Sequence, residues 1–122
     1  MLKIFRKKGQ KGFSLIELLM VCAIIGILAA IAIQQFFVYR QKGYNTQAKA
    51  DLKSFYTVCQ AYFVYSPTTP ACSEALVAAT FVKSPNVIIG NIPANQKLVG
   101  TTSFHVAGTL TYTIGPSGNI TP

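Results

Sequence analysis

The stretch KKGQKGFSLIELLMVCAIIGILAAIAI, residues 7–33, decides the fold. From Phe13 to Ile33 it supplies 21 residues with one charged group, Glu17. That is close to the roughly 20 apolar residues a helix needs to cross the hydrocarbon core of a bilayer, so the segment reads as a spanning helix. Ahead of it lie Lys3, Arg6, Lys7, Lys8 and Lys11, which outweigh Arg40 and Lys42 behind it. By the positive-inside bias the N-terminus stays cytoplasmic and the rest of the chain crosses.

Working outward, the formal charge of +8 on 122 residues suggests a nucleic-acid binder at first sight. Five of the eleven basic residues, however, fall within the first twelve positions. Without that piece six basic residues face three acids (Glu17, Asp51, Glu74), a net charge of +3. The basicity belongs to a leader, and a nucleic-acid partner is not indicated. What remains has room for one small domain.

The order of these pieces is informative. In a secretory signal the apolar core precedes the cleavage site. Here a short charged segment ends at Gly12 and the apolar run follows it, so cutting after Gly12 leaves the helix on the mature protein. With Gly12, Phe13 and Ser14-Leu15-Ile16-Glu17 at the head of a long apolar helix, the chain resembles the type IV pilin family, specifically over about residues 7–44 and more loosely beyond. The resemblance implies a prepilin peptidase that cuts between Gly12 and Phe13 and methylates the new Phe13 amine. It also implies a precursor in the inner membrane that pilus assembly machinery builds into an extracellular helical filament of identical subunits, used for adhesion, twitching motility or DNA uptake.

Glu17 then has a physical reason. A carboxylate within a bilayer costs several kcal/mol unless paired or hydrated. The Phe13 amine of the same chain is four residues away, about 6 Å along the axis, an awkward geometry for direct pairing. A neighbour shifted along a filament can bring its own Phe13 amine to Glu17, making the pair a register device for assembly. The bland reading is a carboxylate snorkelling to the headgroups from a helix end. The chain departs from the family at Gln34, where a proline associated with helix unwinding is usual. Gln34 keeps its backbone N–H and predicts an intact helix there.

The helix is expected to continue to Tyr65. Tyr44, Ala48, Leu52, Phe55, Cys59 and Tyr62 recur at spacings of three and four, one face of an amphipathic helix, and Ser66-Pro67 is a natural stop. Residues 86–92, 102–106 and 110–114 read as strands. A three-residue loop at Ala107-Gly108-Thr109 would set Val106 opposite Leu110 and Phe104 opposite Tyr112. The expected organisation is a leader at 1–12, a long helix at 13–65 with 13–33 as transmembrane segment and filament core, and a β-rich head at 66–122. The fold class is α+β, a small antiparallel sheet packed on the helix's second half.

Compartment and spacing favour a disulfide between Cys59 and Cys72; two reduced, buried cysteines are the alternative. Cys22, inside the apolar run, reads as a packing residue. His105, the sole histidine, falls on the polar parity of its strand and is expected at the surface. No metal site, cofactor or catalytic constellation is suggested, and the protein is expected not to be an enzyme. Phe36, Tyr39, Tyr44 and Phe55 belong to an unusually aromatic helix, similar to pilins proposed to conduct electrons; packing is the commoner use of such rings. A pseudopilin of a type II secretion system shares the leader, but its major subunits look calcium-dependent and this head is poor in acids. A single-pass anchored protein that never polymerises is the remaining alternative.

Overall fold

The structure, a computed structural model, describes Gly9 and residues 11–122; Lys3, Arg6, Lys7 and Lys8 of the leader lie outside the described residues. In chain order it contains α1 (Leu15–Tyr65), α2 (Glu74–Val77), β1 (Val87–Gly90), β2 (Thr102–His105), β3 (Thr111–Ile114) and β4 (Ile120–Thr121). Two compact units divide after Phe36, and each has its own physics.

In the first unit, α1 starts at a reciprocal cap. The Ser14 hydroxyl accepts from the Glu17 N–H (3.3 Å), and a Glu17 carboxylate oxygen accepts from the Ser14 N–H (3.0 Å). This is the S-x-x-E capping box, which satisfies two of the backbone donors that every helix start leaves open. The helix runs without a break through Gln34, as expected for a residue that retains its N–H. Its apolar side chains, Leu15 through Ile33, are exposed. It is long and apolar enough to cross a membrane, and none of its most apolar 18-residue window is buried.

In the second unit the same helix has a buried stripe: Asn45, Ala48, Leu52, Phe55, Cys59 and Phe63. Four of these are positions of the predicted stripe. At its edges the stripe turns, so that Asn45 is buried and Tyr44 half-buried, Phe63 buried and Tyr62 half-buried. The helix ends where the Ser66 N–H donates to the Tyr62 carbonyl, just ahead of Pro67.

The head is an antiparallel meander with strand order β1-β2-β3-β4. With the helix it makes the α+β fold. Val87, Ile89, Tyr112 and Ile114 face the core with Leu52, Phe55, Val77, Phe81 and Leu98. Full burial of side chains of this size stabilises by about 1.5–3 kcal/mol each. Leu98 holds a left-handed backbone (φ 54°) while its side chain is fully buried. The Asn95 side chain fixes that turn by accepting from the N–H groups of Lys97 and Leu98, offsetting a conformation that leucine rarely adopts.

The register differs from the expected one by a single position. Ser103 pairs with Tyr112 and Phe104 with Thr111, so Val106 is not set opposite Leu110 and the β2–β3 loop is longer than three residues. A one-residue shift exchanges the faces of a strand. Ser103 and His105 therefore point inward, at 0% and 4% exposure, and Phe104 and Val106 point out. The helix face opposite explains the inversion. The Ser103 hydroxyl donates to the Ala48 carbonyl (3.0 Å), a close approach that a phenylalanine would prevent. His105 stacks on Tyr44, with ring centroids 4.3 Å apart and planes within 10°. His105 is thus a core residue, not a surface one.

Candidate functional site

Three places carry chemistry: the helix start, the helix–sheet seam and the aromatic positions. At the helix start Gly12 precedes the helix, and a side chain added there would meet nothing within 4 Å among the described residues. The packing of the described residues gives no reason for a glycine at this position. Phe13 is 83% exposed. Glu17 is exposed too, with one carboxylate oxygen held by the Ser14 N–H and the other without a hydrogen-bond partner among the described residues. The capping box was readable as Ser14-x-x-Glu17, since Ser and Glu at that spacing before an apolar run are its signature.

At the seam, the Asn45 side chain joins the helix to the β2–β3 loop. Its Oδ1 accepts from the N–H groups of Thr109 (2.9 Å) and Leu110 (3.2 Å), and its Nδ2 donates to the Thr109 hydroxyl (3.0 Å). A side chain at Gly108 would collide with Asn45 Oδ1 and crowd the His105 backbone, so glycine is required there by close approach. His105 Nδ1 accepts from the Ala107 N–H (3.0 Å), which places the ring proton of the neutral imidazole on Nε2. Asp51 accepts from the Ser84 N–H (2.7 Å) and its hydroxyl (3.1 Å), tying the helix to the loop before β1. Cys59 and Cys72 are joined by a disulfide, with Cα atoms 5.9 Å apart, within the span such a bond requires. Cys22 is a free, exposed cysteine.

The aromatic positions go to separate places. Phe55 lies in the core, edge-on to Phe81 (5.5 Å between centroids). Tyr44 stacks on His105, and its hydroxyl accepts from Arg40 Nε (2.8 Å). The Lys42 ammonium lies over the Tyr39 ring, and Phe36 is exposed. Tyr44 and Phe55 are eleven residues apart, about 16 Å of helix rise, and each ring is engaged with a different partner. Among the described residues no group of three His, Cys, Asp or Glu side chains is placed to hold a metal ion.

Residues 7–33 match the family described as the prokaryotic N-terminal methylation motif, which contains the Gly12-Phe13 step, the capping box and the apolar helix. The type IV major alpha-pilin of Moraxella bovis is 34% identical over 117 residues, covering 91% of this chain and 72% of that protein. The type IV major pilin protein PilA of Myxococcus xanthus is 49% identical over 54 residues, 44% of this chain and only 24% of that protein. The type II secretion system core protein G of Pseudomonas aeruginosa is 37% identical over 76 residues, 59% of this chain and 53% of that protein. The long match therefore extends through the head to a pilin, and the chain belongs to the type IV pilin family, the structural subunits of pili.

Proposed function

We propose that this chain is a prepilin whose mature form builds an extracellular filament by packing its apolar helix against copies of itself. A prepilin peptidase cuts between Gly12 and Phe13 and methylates the Phe13 amine. Before assembly, residues 13–33 hold the subunit in the inner membrane with the leader cytoplasmic; pilus machinery then extracts it into a homo-oligomeric fibre. The role is structural, without catalysis. The observation that carries this is the uncovered apolar half of α1, beside a second half whose apolar stripe is buried. Such a surface needs lipid first and other copies afterwards.

Glu17 is proposed as the assembly residue. Its capped oxygen fixes the carboxylate at the helix start and leaves the second oxygen open to a neighbour's Phe13 amine. The bare surroundings of Gly12 favour the cleavage role in the same way, because they leave the glycine to be required by an enzyme closing on the backbone. The type II secretion reading is the weaker one: the head's one acid, Glu74, is paired with Lys83, and Asp51 on α1 is held by Ser84, which does not suit a carboxylate cage for calcium.

The test is N-terminal analysis and intact mass of fibres sheared from cells. Fibres of subunits beginning at Phe13 are expected, and Gly12→Glu should leave a full-length, membrane-retained precursor. Normal fibres from Gly12→Glu, or subunits beginning elsewhere, would overturn the cleavage assignment.

A further inference from the structure

Lys49 and Lys53 lie one turn apart on α1, about 6 Å along its axis, and neither has a carboxylate partner among the described residues. Each ammonium rests over a tyrosine ring, Lys49 at 6.0 Å from the centre of Tyr112 and Lys53 at 5.4 Å from that of Tyr56. Together with Thr46 and Ala50 they form one wall of a groove of about 500 Å³, and residues 118–120 form the other. That second wall is braced. The Gly115 N–H donates to the Asn119 carbonyl (2.7 Å), and Gly118, in a left-handed conformation, sits where any side chain would strike the Tyr56 hydroxyl. Lys42, seven residues before Lys49, continues the basic line along the same face of the helix.

Another copy of the chain does not neutralise this line. Outside the leader a copy carries six basic residues against three acids, and one of those acids, Glu74, is already paired with Lys83 (2.9 Å). The complementary partner therefore has different chemistry, and it is an anion. The lining also includes two apolar residues, Ala50 and Ile120, and neutral hydrogen-bonding groups, Thr46 and Asn119. Single-stranded nucleic acid would need open aromatic faces for its bases, and the two rings here are covered by the lysines. A pyranose chain needs none: its C–H faces lie on apolar surface, its hydroxyls meet amide and hydroxyl groups, and its carboxylates meet ammonium ions.

We infer that this groove binds a carboxylated polysaccharide. The groove lies within one head. Its repetition along a fibre rests on the function proposed above, and would multiply a weak single-site affinity by avidity.

The test measures retention of polygalacturonate, neutral dextran and a thymidylate oligonucleotide by full-length protein, both as sheared fibres and as detergent-solubilised subunits. Polygalacturonate should be retained and dextran not. Lys49→Gln with Lys53→Gln should lower retention about tenfold, two exposed charge contacts compounded over repeated sites. Lys83→Gln with Lys97→Gln removes the same charge outside the groove and should leave retention unchanged. Thr46→Tyr fills the groove without altering charge and should lower retention severalfold. Equal losses in the two double variants, full retention by Thr46→Tyr, or equal binding of the oligonucleotide at the same salt would each overturn the inference. Failure of the unmodified chain to form fibres would count against the filament, while the solubilised subunits still decide the groove.

Discussion

One helix is built to two specifications. Between Leu15 and Ile33 its apolar side chains are exposed, whereas between Asn45 and Phe63 a stripe of similar character is covered by a sheet. Propensity does not distinguish the halves, since both are helical without interruption. What differs is where the covering surface comes from. The second half finds it later in its own chain, from Cys72, 13 residues past Cys59, to Leu110, 65 residues past Asn45. The first half has to find it in lipid or in another molecule, and this is how one helix serves as both scaffold and connector.

The first half of the helix is most sensitive at its charged end. Glu17→Leu should insert and be processed, because Gly12 and Phe13 are untouched, yet give sparse fibres; a buried pair broken on one side costs about 3–5 kcal/mol. The capping box confounds this change, so Glu17→Gln sharpens it. Glutamine still caps but carries no charge, and fibres should stay sparse. Fibre counts on strains with matched membrane levels read both; abundant fibres from either processed variant would remove Glu17 from the assembly register.

Next, the same substitution made in both halves should have opposite outcomes. Leu52→Ala should destabilise the head by about 3–4 kcal/mol, a buried leucine lost with little room to relax. Leu28→Ala should move head unfolding in detergent by less than about 0.5 kcal/mol, as for an exposed position. Thermal denaturation followed by near-ultraviolet circular dichroism would show it, and equal shifts would mean the halves are not independent. Removing the staple by Cys59→Ser with Cys72→Ser should cost the head about 3 kcal/mol, the chain-entropy value for a short loop. Among the variants that weaken the head the smallest loss is expected for Asn45→Ala, which orphans the Thr109 and Leu110 N–H groups and should cost about 2 kcal/mol. Guanidinium titration would rank the last two, and an unchanged midpoint for Asn45→Ala would show that water replaces the side chain.

The sequence allowed much of this to be read, and where it failed the reason is physical. Helix α1, its Pro67 stop and the positions Ala48, Leu52, Phe55 and Cys59 follow from periodicity, which is a property of one element alone. The seam does not. In Thr102-Ser-Phe-His-Val106, hydrophobicity assigns Phe104 and Val106 to the core, but the chain buries Ser103 and His105 because the facing helix offers a carbonyl at Ala48 and a ring at Tyr44. Complementarity between two surfaces is not a property of either sequence segment. Short elements failed for a different reason. Helix α2 has four residues and β4 two, too few for any period to show. The Ser14–Glu17 cap was visible in the letters and was obscured by the stronger signal of a carboxylate in an apolar run.

The Asn45 bridge also sets an order of events. Its partner in the β2–β3 loop lies 64 residues further along the chain, and the Ser103 partner of Ala48 lies 55 further. At the usual 5–20 residues per second of synthesis, the stripe from Asn45 to Phe63 waits about 3–13 s for the strands that cover it. The strands themselves pair with sequence neighbours and can form quickly, so the slow step is their late arrival on the helix. During that interval a nascent subunit exposes two sticky helix halves instead of one, and any partner that reaches the second half first would trap it before a head exists.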